Sequence, residues 1–279
     1  MWSKVLYGDQ PAGWHIAGTK ESVSGISRQQ LQNYMKTQYN ASNTLVCVAG
    51  KLSGQSQNKV KKYFSGPETR KKIKKVPVLE KQKKPQILLH SRKTDQTHFC
   101  LGVRAYDVFN PKRYAQEILG LILGGMMSSR LFIKIREELG LAYYVKTEVS
   151  SDPDTGFLVT QVGVDNKRAE EAILAIIKEY KRISQEKVPQ KEIKKAKEHL
   201  IGKMALLLEA SDAQASFYGL QEILEKKILT PKEICDKINK VKAEDLSMVA
   251  KDIFKAEKLN LALIGPFKDK NKFQKLLKI

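Results

Sequence analysis

Cysteine is scarce in this 279-residue chain: there are three, Cys47, Cys100 and Cys235. They are odd in number, widely spaced and set in apolar strand-like or helical surroundings, which excludes a disulfide scaffold. Buried free thiols in a reducing compartment are expected instead. Long apolar runs are missing as well. The longest, Ile118 to Leu123 and Met204 to Leu208, fall far below the roughly 20 residues that cross a bilayer, so no membrane partner is expected. The opening segment MWSKVLYGDQPAGWH has no apolar core followed by a small-residue cleavage site, and the expectation is a cytoplasmic location without a secretory leader.

Negative charge is also in deficit. Thirty Asp and Glu face fifty Lys and Arg, for a net charge of +20. Such an excess favours acidic partners and raises nucleic acid as a candidate ligand. The kind of base argues against that ligand. The excess is mostly lysine on solvated faces, such as Lys191, Lys194, Lys195 and Lys197, whereas phosphate and base reading usually enlist arginine forks. The densest run is Arg70, Lys71, Lys72, Lys74 and Lys75, followed by Lys81, Lys83 and Lys84, and it holds no interleaved aromatic for base stacking. It reads as a solvated linker over residues 67–84, and nucleic acid is the less favoured partner.

What is present is the balance of a globular protein, 42% hydrophobic and 29% charged. It also holds an internal repeat. ISRQQLQNYMKTQYNASNTLVCVAG, residues 26–50, lies without a gap on VKAEDLSMVAKDIFKAEKLNLALIG, residues 241–265. Leu31 matches Leu246, an offset of 215 residues, and Lys36, Ala41 and Gly50 match Lys251, Ala256 and Gly265. Each copy reads as a helix, a short turn and a strand ending in glycine. A domain-sized offset implies two related domains, not a solenoid. The expected division is 1–66 as the C-terminal part of a first domain, 67–84 as the linker and 85–279 as a complete second domain, with the front of the first lying before Met1.

The rest of the chain reads as α+β. Strands are expected at 87–90 and 98–103 around the polar turn RKTDQ, and at 142–149 and 156–164 around DPDTG. A helix runs from Pro111 to the pair Gly124-Gly125, a second is capped by Ser128 or Ser129 and ends at Gly140, and others fill 167–185, 189–208 and about 211–226.

The chemistry is sought in LGGMMSSRLFIKIREELGLAYYVKTEV, residues 123–149. On the capped helix Leu131, Phe132, Ile135 and Leu139 share one side, and Arg136 lies at its edge near the helix end. Gly140 lets the chain turn and Tyr143 opens the next strand. Arg136 and Tyr143 are thereby placed close enough to point at one ligand. By chemistry alone the alternative is ordinary: Arg136 pairs with Glu137 or Glu138 and Tyr143 packs.

This stretch resembles the pitrilysin/insulinase metallopeptidases, whose second domain carries a glycine pair, an S-R-L-F helix start and R-E-x-x-G-L-A-Y at the helix-to-strand junction. GDQPAGWHIAGTKESV at 8–23, the strand-like NTLVCVAG at 43–50 and NLALIGP at 260–266 also fit, and 7–267 can be laid along the family in order. The resemblance implies an α+β fold of two related sheet-plus-helices domains of the pitrilysin/mitochondrial-processing-peptidase type, with the first truncated. It implies substrate-binding roles for Arg136 and Tyr143, which in such enzymes hold the peptide backbone or polarise the carbonyl under attack. The zinc of these enzymes sits on H-x-x-E-H in the first domain. None of His15, His90, His98 and His199 stands in that arrangement. The chain alone is therefore expected to be inactive and to bind no metal, with zinc in the missing front part or in a partner chain. Peptide substrate and a zinc-bearing subunit of the same kind, or self-association, are the implied partners. A purely structural subunit and a basic nucleic-acid binder are the alternatives.

Two other places in the chain offer rival sites on chemistry. In a hairpin centred on Thr94, His90 and His98 would face each other with Cys100 two residues on, a conceivable small metal site lacking a fourth ligand. Gly124-Gly125 before a helix suggests a phosphate cradle, but without a preceding strand or G-x-x-x-x-G-K it reads as a turn.

Overall fold

Alternating apolar residues in five segments build one mixed sheet: β1 Gln86–Ser91, β2 Gln96–Ala105, β3 Ala142–Asp152, β4 Thr155–Asp165 and β5 Leu259–Gly265. The computed structural model describes residues 1–66, 69–70 and 74–279. Lys71 and Lys72 of the basic run therefore lie outside the described residues. The helices are α1 Trp2–Tyr7, α2 Lys20–Ser24, α3 Arg28–Gln38, α4 Ser56–Phe64, α5 Arg113–Gly120, α6 Ala169–Gln185, α7 Gln190–Leu207, α8 Ser211–Leu224, α9 Pro231–Lys240, α10 Ala243–Ile253 and α11 Lys270–Gln274. Two units emerge. One comprises Met1–Trp14, Val78–Ile201 and Pro231–Ile279; the other comprises His15–Pro77 and Gly202–Thr230.

In the first unit the strand order is β1-β5-β2-β4-β3, with β1 parallel to β5 and every other pair antiparallel. One face of the sheet meets α5, α6 and α10, whose buried residues Ile118, Leu119, Ile173, Ile176, Leu246 and Val249 close the core over Leu101, Val103 and Leu158. Burying each such side chain contributes roughly 1.5–3 kcal/mol. A buried hydroxyl chain stitches the layers: Thr147 Oγ1 lies 2.8 Å from Thr160 Oγ1, which lies 2.6 Å from the Tyr180 hydroxyl, and that hydroxyl donates to the Leu101 carbonyl at 3.1 Å. Burial pushes the Tyr180 phenol well above its ordinary pKa. On the other face Gly102 and Arg104 look toward α1. A Cβ on Gly102 would lie 3.0 Å from the Trp2 ring, and Arg104 pairs with Glu80 at 3.0 Å while donating to the Leu6 carbonyl.

The expected hairpin between the first two strands does not form. β5 inserts between them, and His90 and His98 both align with Ile264 from its two sides. The reason is topological: a parallel β1–β5 pair captures the hydrogen-bonding edge that a tight RKTDQ turn would have given to β2.

In the second unit the repeat keeps its helix and loses its strand. α3 and a 3-10 turn at Ala41–Asn43 stand 215 residues before α10 and the 3-10 turn at Ala256–Lys258, boundary for boundary. Residues 44–50, the counterpart of β5, pair with no strand among the described residues. Leu45, Val46 and Val48 are exposed, as are Leu31, Tyr34 and Met35 of α3. Cys47 is accordingly exposed, against the expectation of burial; Cys100 and Cys235 are half-buried, and all three are free. The Cβ position of Gly219 in α8 comes within 3.4 Å of Cys47 Cβ, so α8 lies over this extended segment.

Candidate functional site

The Gly-Gly stretch comes first because it sets the height of the following helix. α5 runs into a π-helical turn, Leu121–Gly125, that ends at Met126. A Cβ on Gly124 would sit 2.2 Å from Thr147 Oγ1 and 2.8 Å from the Thr147 backbone nitrogen. The pair is thus a packing surface that lets the helix end lie flush on β3, not a phosphate cradle.

The next helix begins at Arg130 and is π-wound from Phe132 to Glu138. Its wide turns appear as Leu139 N–H donating to the Lys134 carbonyl at 3.1 Å and Leu141 N–H to the Ile135 carbonyl at 2.8 Å. Ser129 stands at its start, where its carbonyl accepts from Ile133 N–H at 3.0 Å. Its buried hydroxyl has no hydrogen-bond partner, so the expected side-chain cap is absent. Leu131 and Ile135 are fully buried beneath the helix. Gly140 turns the chain with φ +55°, a conformation that costs a side-chain-bearing residue about 1–2 kcal/mol.

Beyond that turn the β3–β4 register passes from Ala142 opposite Val164 to Tyr144 opposite Gly163, a bulge that leaves Tyr143 unpaired. A bulge re-aims a side chain, and Tyr143 stands 82% exposed. Its ring centroid lies 4.9 Å from the Arg136 guanidinium carbon, which is also 4.9 Å from the Phe132 ring. Arg136 and Tyr143, predicted separately from a helix end and a strand start, therefore meet. Glu138 is engaged by Lys134 at 2.7 Å. Among the described residues Arg136 makes no ion pair, so the ordinary alternative of an Arg136–Glu pair is not what forms. A guanidinium stacked on two rings keeps its edge N–H groups free to donate to a carbonyl or carboxylate oxygen.

Sequence reasoning missed the residues behind this helix. Arg130 reaches Glu192 with Nε–Oε2 at 2.8 Å and Glu179 with Nη1–Oε1 at 3.3 Å, from a side chain only 8% exposed. S-R-L-F carried the signal, in an arginine beside residues of an apolar face.

Among the described residues no group of three His, Cys, Asp or Glu is placed to hold a metal. His90 and His98 flank Ile264 of β5 from opposite sides, and the His98 imidazole lies 3.0 Å from the Cβ position of Gly163 on β4, on the side away from His90. Among the described residues no helix is long and apolar enough to cross a membrane.

A five-stranded mixed sheet covered on one face by three helices, with Arg136 set against Tyr143 at its rim, defines an α+β sheet-plus-helices domain. The chain belongs to the peptidase M16 family: residues 25–200 match the model described as the peptidase M16 inactive domain. It is 32% identical over 267 residues to the Bacillus subtilis (strain 168) protein described as uncharacterized zinc protease YmxG, covering 95% of this chain and 64% of that protein. It is 28% identical to uncharacterized zinc protease ML0855 of Mycobacterium leprae (strain TN), covering 100% of this chain and 63% of that protein. The chain thus spans under two thirds of the length of these relatives. Its fold matches a protease from Helicobacter pylori with a TM-score of 0.87 at 18% identity, over 94% of this chain and 64% of the other. It matches a peptidase M16 inactive domain from Pseudomonas fluorescens with a TM-score of 0.85 at 21% identity, over 95% and 64%. A chain of Complex III2 from Candida albicans matches with a TM-score of 0.85 at 16% identity, over 99% and 69%.

Proposed function

We propose that this chain is the substrate-gripping, non-catalytic portion of a zinc peptidase, and that Arg136 and Tyr143 hold the backbone of an extended peptide presented by a zinc-bearing domain or partner chain. The observation that carries the reading is the pair itself, a guanidinium with no carboxylate partner among the described residues lying on an exposed phenol ring. Such donors stabilise a carbonyl oxygen as it gains negative charge. Zinc, where the relatives' names place it, would supply a polarised water; nothing in this chain's described residues would hold it. The domain limits 1–66, 67–84 and 85–279 belong to the same reading, supported by the matched boundaries of α3 and α10.

The experiment mixes the purified chain with a zinc-bearing M16 chain and a fluorescent unstructured peptide. Arg136→Ala is expected to lower kcat/KM by about 10²-fold, while Tyr143→Phe, which keeps the ring and drops the hydroxyl, lowers it less. Turnover indifferent to the presence of this chain, or to Arg136→Ala, overturns the proposal. A structural subunit, by contrast, would bind the zinc-bearing chain on gel filtration and leave its turnover alone.

A further inference from the structure

Resting on that reading of Arg136, we propose that Arg130 is a positioning residue: its ion pairs with buried Glu179 and half-buried Glu192 fix the start of the helix that carries Phe132 and Arg136, and so set the guanidinium against Tyr143. Arg130 is the first residue of that helix. Its fork meets Glu192 twice, Nε–Oε2 at 2.8 Å and Nη2–Oε1 at 3.3 Å, and meets Glu179 Oε1 through Nη1 at 3.3 Å. Glu179 comes from the middle of α6 and Glu192 from the first turn of α7, so one guanidinium ties three helices together. Glu179, itself 6% exposed, also receives Arg182 at 3.3 Å.

Stability does not explain such an arrangement, because a buried ion pair is commonly no better than apolar side chains of the same volume. Geometry does. A bidentate fork fixes direction as well as distance, and it adds to the burial of Leu131 and Ile135 beneath a helix that is irregular at its start. That helix is π-wound, its start lacks a side-chain cap, and the Ser129 hydroxyl beneath is unpartnered. Its far end is held where Arg168 Nη1 donates to the Leu139 carbonyl at 3.2 Å, just before Gly140. Between those two anchors the contacts of Arg136 among the described residues are with the rings of Phe132 and Tyr143, so its position follows the helix that Arg130 orients.

The test follows Arg136 directly, by NMR of the full chain labelled with 15N-arginine. With both rings 4.9 Å from its guanidinium carbon, the Arg136 Nε–Hε resonance is expected to lie away from the position of a solvated arginine. Arg130→Met keeps the stem without the fork, and is expected to return that resonance toward the solvated position while cooperative unfolding is retained; Arg130→Lys restores it in part. Should Arg130→Met fail to fold, Glu192→Gln carries the same readout with both volumes kept. Affinity for the fluorescent peptide, in the presence of the zinc-bearing chain, falls about 10- to 100-fold, and Arg130→Met/Arg136→Ala binds no worse than Arg136→Ala alone. An unmoved Arg136 resonance in folded Arg130→Met and Glu192→Gln overturns the inference. A resonance that moves while neither Arg130→Met nor Arg136→Ala changes peptide binding upholds the positioning and sinks the substrate reading instead.

Discussion

At the scale of single residues, charge placement in this chain has consequences that pH can expose. Asp252 in α10 accepts a 2.6 Å hydrogen bond from the Tyr106 hydroxyl and lies 3.3 Å from Lys255 and 3.4 Å from Lys258. Partial burial opposes its ionisation, but the phenol and the two lysines outweigh it and hold its carboxyl below the ordinary value. A depressed folded pKa means a contribution present above the unfolded value, ~3.9, and lost as pH falls through the folded one. Asp252→Asn is therefore expected to flatten the acid limb of the stability curve below about pH 4, read by urea unfolding from neutral to acid pH. An equally steep limb in the variant would show that Asp252 is not among the groups responsible. Tyr106 supplies the donor on the other side, and its phenol is raised well above its usual range by burial and by this carboxylate.

Among elements, close approach decides which glycines matter. Gly124 lies against the backbone and hydroxyl of Thr147, with no room for a methyl group. Gly202 lies within α7 with no atom within 4 Å of its Cβ position. Gly124→Ala should destabilise by about 1–3 kcal/mol through overpacking, and should also push the π-helical turn off β3. Gly202→Ala should stabilise by up to about 1 kcal/mol through helix propensity. Thermal unfolding of the two variants measures both, and equal effects would contradict the packing role of the glycine pair. The same contrast explains why Gly140 is needed although its Cβ position is open: there the demand is the positive φ of the turn into β3.

Across the whole molecule, one sequence pattern has two outcomes. The helix-turn-strand unit at 241–265 buries Leu246 and Val249 of α10 in the core and Leu261 and Leu263 of β5 in a sheet with neighbours on both sides. The matching unit at 26–50 leaves Leu31, Tyr34, Val46 and Val48 exposed and its last seven residues unpaired. Hydrogen exchange should register this as strong protection of the amides in β5 against fast exchange at 44–50, a difference of several kcal/mol in local opening. Comparable protection in both segments would mean that 44–50 has found a strand to pair with. An exposed extended segment of this kind is a pairing template for another strand.

The sequence by itself determined the α+β class, four of the strands in the stretch from Pro85 to Asp165, and the position of each repeat boundary, because those depend on local periodicity, glycine and proline. It also placed Arg136 at a helix end and Tyr143 at a strand start. Only the tertiary structure decided that β5 parts β1 from β2, which dissolved the His90–His98 pairing. It alone decided that a bulge turns Tyr143 onto Arg136 and that Arg130 reaches Glu179 and Glu192 on two other helices. Strand order, bulges and ion pairs between distant elements are set by which surfaces meet, and a pattern that repeats every two or every 3.6 residues carries no record of that.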